Sequence, residues 1–214
     1  MKNRTRPQGR TALSAVILAG GESRRMGRDK AWIEYNGKPL IQNTEETLRK
    51  LGVTEVFVSG RAGVDYSALN CPVLYDLAPD VGPLAGIERG LHACASPLLL
   101  VLAVDLPRMT PRFLKKLVAR CDLLTGIVPK LRDELEPLAA IYPKSCHATA
   151  LAVIARHQHA ARDFASACLR KHAIRTFPVS SADAACFTNW NNPEERIGKK
   201  TLEPSQLTTS HPQP

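Results

Sequence analysis

Gly20 and Gly21 stand between an apolar run, Ala15-Val16-Ile17-Leu18, and four cations, Arg24, Arg25, Arg28 and Lys30. That order of residue types suits the binding of phosphates. Two glycines let backbone N–H groups approach an anion with no Cβ in the way, and the cations add positive charge beside it. Arg25 has the forked guanidinium for two phosphate oxygens at once, and Lys30 adds a point charge beside them. Arg24 and Arg28 are expected to face solvent. The chemistry this predicts is the handling of a nucleoside triphosphate. A Walker loop is excluded, because it has four residues between its glycines and then Lys-Ser/Thr, whereas five residues separate Gly21 from Gly27 and Arg28 follows. No G-x-G-x-x-G occurs, which excludes the dinucleotide fingerprint.

Further carboxylates and polar residues follow other apolar runs. Asp105 closes the run at 97–104 and precedes Leu106-Pro107. A carboxylate there is either a helix cap or a metal ligand, and Thr110, followed by Pro111, is the better cap for the next helix. Asp105 therefore reads as a ligand for Mg2+, which takes carboxylate oxygen together with substrate phosphates. Asp76 ends a short apolar run and would suit a turn, as would Asp80 nearby. Ser59-Gly60-Arg61 ends another run.

The elements that must position these residues alternate along the chain. Strands are predicted at 15–18, 53–59, 72–76, 97–104, 123–129, 138–142 and 174–179. A helix with Ile41, Thr44, Leu48 and Leu51 on its inner face stops at Gly52. A second starts at Gly82-Pro83 and buries Leu84, Ile87 and Leu91. A third follows the Thr110 cap and buries Phe113, Leu114, Leu117 and Val118. A charged turn spans 130–136, and a long helical stretch spans 145–172 with a break near Gln158. Repeated β–α order predicts an α/β fold: a doubly wound, mostly parallel sheet with helices on both faces. In such a sheet ligands sit at the C-terminal ends of strands. Gly20, Ser59, Asp76 and Asp105 are each expected to follow a strand.

The 214 residues suffice for one α/β domain, expected over 14–198. Residues 1–13 form a basic extension with Lys2, Arg4, Arg6 and Arg10, and 199–214 form a polar tail; both are expected to be disordered. The net charge of +9 favours anionic partners. Basic residues interleaved with aromatics are absent, which argues against nucleic acid, and no apolar stretch approaches a membrane span. Six cysteines, none in C-x-x-C spacing, suggest reduced, packed thiols in a cytoplasmic protein. His157 and His159, two apart on the expected helix, would face different ways and read as surface residues, not zinc ligands.

The stretch 18–30, written L-A-G-G-x-S-x-R-M-G-x-D-K, resembles the opening motif of the molybdenum cofactor guanylyltransferase family. Glu136-Pro137-Leu138-Ala139-Ala140-Ile141-Tyr142 resembles that family's E-P-L-x-A-L-Y segment, which borders the acceptor side. Residues 187–195 resemble its closing N-x-N-T-P-E segment, with Asn192 where threonine is usual. The likeness runs from about Ser14 to Ile197 and implies a nucleotidyltransferase domain.

By that resemblance, Leu18, Ala19, Gly20, Gly21, Lys30, Ser59, Asp76 and Asp105 bind the nucleotide. Arg25, Lys30 and Asp105 are catalytic. Asp105 holds Mg2+, and Asn191 is either a further metal ligand or part of an Asn-Pro helix entry. Many family members carry asparagine where Ser59 falls, so what carries over there is a backbone contact. The implied reaction moves GMP from GTP to the terminal phosphate of molybdenum-loaded molybdopterin, in a monomer that serves molybdoenzyme-maturation proteins. The Gly20-Gly21 form and Gly82-Pro83-Leu84-Ala85-Gly86 favour guanine over the L-A-A-G of the related cytidylyltransferases. A sugar-phosphate nucleotidyltransferase is the other enzyme reading, and a nucleotide-binding adaptor, which would lack the Asp105–Lys30 combination, is the non-enzyme reading.

Overall fold

The computed structural model describes residues 13–20, 29–75 and 82–190. Gly21, Arg25, Asp76 and Asn191, and both expected tails apart from Leu13, lie outside the described residues. In chain order the elements are β1 (Leu13–Leu18), a 3-10 turn (Lys30–Trp32), β2 (Glu34–Tyr35), β3 (Lys38–Pro39), α1 (Leu40–Leu51), β4 (Glu55–Gly60) and β5 (Val73–Tyr75). Then come α2 (Pro83–Ala93), β6 (Leu98–Ala103), α3 (Pro111–Val118), β7 (Gly126–Leu131), β8 (Glu134–Leu135) and β9 (Ala139–Pro143). After a second 3-10 turn (Lys144–Cys146) come α4 (His147–Ile154), α5 (Ala161–Arg170), β10 (Ile174–Pro178) and a third 3-10 turn (Ala184–Phe187).

One sheet has the order β10-β7-β9-β6-β1-β4-β5, with β8 folded back on β7. β1 runs parallel to β4 and β6, β4 to β5, and β7 to β10. β9 is antiparallel to both of its neighbours, β6 and β7. The sheet is thus mostly parallel, as expected. Alternate side chains of β1 and β6 feed two cores. Ala15, Ile17, Leu100 and Leu102 pack with α1 and α3 through Leu40, Ile41, Leu48, Phe113 and Leu114. Val16, Leu18, Leu99 and Val101 pack with α2, α4 and α5 through Leu84, Ile87, Val153 and Phe164. Helices therefore cover both faces, which is why β6 reads as an unbroken apolar run.

The local signals act as their chemistry requires. Gly52 takes φ 93°, the left-handed cap in which its N–H reaches the carbonyls of Leu48 and Arg49. The Thr110 hydroxyl accepts the Phe113 N–H at 3.2 Å, so it fills the cap position and leaves Asp105 for other work.

Several bounds differ from expectation. Leu13, inside the expected extension, already belongs to β1. β4 continues to Gly60, which puts Ser59 within the strand and not after it. Residues 123–125 are not strand. The Asp122 carboxylate accepts the N–H groups of Leu124 (3.0 Å) and Thr125 (2.8 Å), a turn that leaves Leu123 and Leu124 exposed. The charged turn at 130–136 holds the β7–β8 hairpin. His157 and His159 lie in the break between α4 and α5, where His157 takes φ 57°, and so are not on a helix. All six cysteines are free thiols and four of them are buried. Burial pushes Cys71 up to about 11 and Cys121 up to about 12. Among the described residues no helix is long and apolar enough to cross a membrane.

Candidate active site

Three strand ends frame the site. Beyond β1, the Ala19 N–H donates to the Ser59 carbonyl (3.0 Å), and the Val104 N–H donates to the Leu18 carbonyl (3.2 Å). These bonds carry the sheet one step past its strands and place Gly20, Gly60 and Asp105 along one edge. They also engage the Leu18 carbonyl and the Ala19 amide, and both side chains are buried. Gly20, by contrast, is exposed.

The structure brings together two of the expected catalytic residues. Lys30 Nζ stands 3.1 Å from Asp105 Oδ2, with the side chains 16% and 24% exposed. Lys30 opens the first 3-10 turn, which Asp29 caps by accepting the Ala31 N–H at 2.9 Å. Asp105 sits in the turn after β6, and its carbonyl accepts the Trp190 N–H at 2.9 Å. An ammonium and a carboxylate that remain partly open to solvent at a strand mouth can receive a triphosphate.

Ser59 lies within β4. Its side chain is buried under α2 at Gly86, where an added Cβ would overlap Ser59 Oγ and stand 2.8 Å from Leu18 Cδ2. Its carbonyl already accepts the Ala19 amide. Ser59 therefore fixes the distance between α2 and the end of β1.

Two residues near the site, Arg61 and Glu136, stood in the sequence only as members of longer segments and without roles of their own. The β1–β4 register pairs Leu18 with Ser59, so Gly20 and Arg61 leave the sheet together. Arg61 Cγ lies 3.7 Å from where a Cβ on Gly20 would stand. The Arg61 N–H donates to the Tyr66 hydroxyl (3.2 Å), and the Tyr66 ring lies so close to Gly60 that a Cβ there would be 2.5 Å from it. The signal was present in Ser59-Gly60-Arg61, a glycine and a cation at a strand mouth. The second is Glu136, on the far side of β6. Its N–H donates to the Pro129 carbonyl (2.9 Å), and the buried Tyr142 hydroxyl donates to the Pro137 carbonyl (3.0 Å). Burial pushes the Glu136 carboxyl above its ordinary 4.5 against the pull of Arg162, and the charges of Glu134 and Asp105 push the same way.

Asp105 fits Mg2+ by donor chemistry, since that ion is commonly held by one or two carboxylates plus substrate phosphates and water. Among the described residues no three His, Cys, Asp or Glu side chains group to cage a metal. An ion on Asp105 would keep coordination positions open to phosphate and water.

A family model described as MobA-like NTP transferase domain matches residues 15–174. The chain belongs to that family. As a MobA-like transferase it is a nucleotidyltransferase, and its relatives agree. It is 36% identical over 189 residues to a probable molybdenum cofactor guanylyltransferase of Opitutus terrae, covering 87% of this chain and 94% of that one. It is 30% identical over 194 residues to the molybdenum cofactor guanylyltransferase of Desulfosudis oleivorans, covering 88% and 94%. Among solved structures, the molybdopterin-guanine dinucleotide biosynthesis protein A of Archaeoglobus fulgidus superposes with a TM-score of 0.65 at 26% identity, covering 85% and 94%. The match to the MobA-like model ends at residue 174, so Trp190, which bonds to Asp105, lies beyond it.

Proposed function

We infer that this chain transfers GMP from GTP to molybdenum-loaded molybdopterin. A terminal phosphate oxygen of the acceptor attacks the α-phosphorus of GTP. The bond from that phosphorus to the α–β bridging oxygen breaks, and pyrophosphate leaves with the bonding pair. The observation that carries this reading is the Lys30–Asp105 pair beside the exit of β1. The choice of GTP and molybdopterin rests on the names of the relatives.

The acceptor phosphate is already an anionic nucleophile, so no general base is required. The difficulty is bringing two anions together. Two like unit charges about 4 Å apart repel by roughly 4 kcal/mol at an effective dielectric near 20. Lys30 offsets charge on the β- and γ-phosphates as pyrophosphate departs. Arg25 and the N–H groups of Gly20 and Gly21 bind phosphate oxygens, and Arg61 adds a guanidinium beside Gly20. Leu18, Ala19, Ser59 and Asp76 complete the nucleotide-binding set. Asp105, with Asn191 as a second oxygen donor, would hold Mg2+, which supplies charge compensation along the triphosphate when bound. The enzyme acts as a monomer on small molecules, and molybdoenzyme-maturation proteins take up its product.

Pyrophosphate release tests this reading. GTP, CTP, ATP and UTP are each supplied with Mg2+, with and without molybdenum-loaded molybdopterin. Release with GTP alone, dependent on the pterin, is the expected result. Release with CTP would make the protein a cytidylyltransferase. Release that needs a sugar phosphate in place of the pterin would move it to the sugar-nucleotide branch.

A further inference from the structure

Trp190 touches both arms of the site. Its backbone N–H donates to the Asp105 carbonyl at 2.9 Å. That bond fixes the peptide plane after Asp105 and with it the direction in which the carboxylate leaves the chain. Its indole meets the Tyr35 ring edge-on, with centroids 5.1 Å apart and planes at 80°. Tyr35 belongs to the β2–β3 hairpin, which turns through Asn36 and Gly37 at φ 53° and 76°.

The hairpin and Lys30 form one braced unit. The Ile33 N–H donates to the Lys30 carbonyl (3.2 Å), and the Leu40 N–H donates to the Ile33 carbonyl (2.8 Å). The Asn43 amide donates to the carbonyls of Tyr35 (3.2 Å) and Lys38 (3.1 Å). Trp190 thus grips the Asp105 arm by its main chain and the Lys30 arm by its ring. Its indole Nε1 is buried and has no hydrogen-bond partner among the described residues. The Lys30–Asp105 pair is a weak tether by itself, being partly exposed and built on a flexible lysine stem.

We propose that Trp190 is a positioning residue, a clasp that holds the arm bearing Lys30 against the turn bearing Asp105 so that both groups face one triphosphate. Its ring does not touch the reacting atoms. The kinetic consequence rests on the nucleotidyl-transfer reading, whereas the geometric consequence does not.

The test uses the full chain and the variants W190A, Y35A and W190F. Ligand-free crystal structures come first. In W190A and Y35A the Lys30–Asp105 separation is expected to open beyond the ~4 Å reach of an ion pair, and in W190F it is expected to stay closed. A closed pair in W190A overturns the proposal. Should W190A fail to fold, Y35A decides on the same measure.

Kinetics and calorimetry follow. A misplacement of about 1 Å can cost about a hundredfold in rate. W190A is expected to lose about ten- to a hundredfold in kcat by that principle. Its Mg2+ requirement for GTP binding, read calorimetrically without acceptor, is expected to rise about tenfold, while W190F stays close to the parent. The W190A/Y35A double variant should be no worse than W190A, because both remove one contact. Equal losses in W190F and W190A, or an unchanged Mg2+ midpoint in W190A, would make Trp190 merely structural. Failure of the parent protein to use any nucleotide would sink the proposed function, and the crystallographic comparison would still decide the clasp.

Discussion

Lys30 and Asp105 lie far apart in sequence, yet both were legible from it, Lys30 from its place after a glycine loop and Asp105 from its place after the most apolar run. Thr110 made the second reading possible, because it occupies the cap that Asp105 would otherwise have been given. Replacing Asp105 with alanine is expected to lower kcat/KM by at least about a hundredfold, since metal-centred charge stabilisation is worth several kcal/mol. The same change should cost no more than about 1 kcal/mol of stability, because the pair is partly exposed. Pyrophosphate release and a melting curve on one sample read both effects, and wild-type-like turnover at saturating Mg2+ would remove Asp105 from the metal role. Glu136 gives a pH signature. Its carboxyl is raised above 4.5, mainly by burial, so between that value and its folded value the native state binds more protons than the unfolded chain. Stability from this group is full below pH 4.5 and falls as pH rises through the folded value. Glu136→Gln should therefore match wild type near pH 4 and melt higher at pH 7; a difference that does not grow with pH would contradict this.

Among the elements, helices and buried strands were read from their periodicity and caps, because those signals lie within a few residues. The misses have local causes that periodicity does not carry. Asp122 turns Leu123 and Leu124 outward, and Asn36-Gly37 makes a hairpin too short for any periodic pattern. The antiparallel run of β9 is set by its pairing with β6 and β7 on either side, which no single segment reveals. Helix α2 shows how an element places a site. Gly86 lets it settle onto Ser59 and Leu18, and Gly90 lets it settle onto Val16 and Leu99. Gly86→Ala should cost about 1–3 kcal/mol by overpacking and should raise KM for GTP, because Leu18 ends the strand that leads to Gly20. Urea denaturation and steady-state kinetics test the two halves. Ser59→Gly in the same chain should restore part of each, and a variant that loses stability with no change in KM would separate α2 from the site.

Across the whole molecule, the motif at 18–30 was enough to reach the family, whereas the way the site closes was not, since it depends on contacts between Trp190, Tyr35 and Asp105 that only the folded chain brings about. The charge of +9 is also a property of the whole, and four of its cations lie in residues 1–10. Deleting those residues should lower the salt needed to elute the protein from heparin and leave GTP turnover unchanged, in line with the steep salt dependence of polyanion binding. Slower turnover in the deletion would give the arm a part in catalysis. The position of Trp190 also bears on synthesis. Growing from its N-terminus, the chain can seat β1 between β4 and β6 once Ala103 has emerged, and it has every strand of the described sheet by Pro178. The clasp comes after all of them. A nascent or clipped chain that stops between Pro178 and Trp190 would carry an assembled sheet with its site still open, so consumption of GTP would begin with the arrival of Trp190 and not with completion of the sheet.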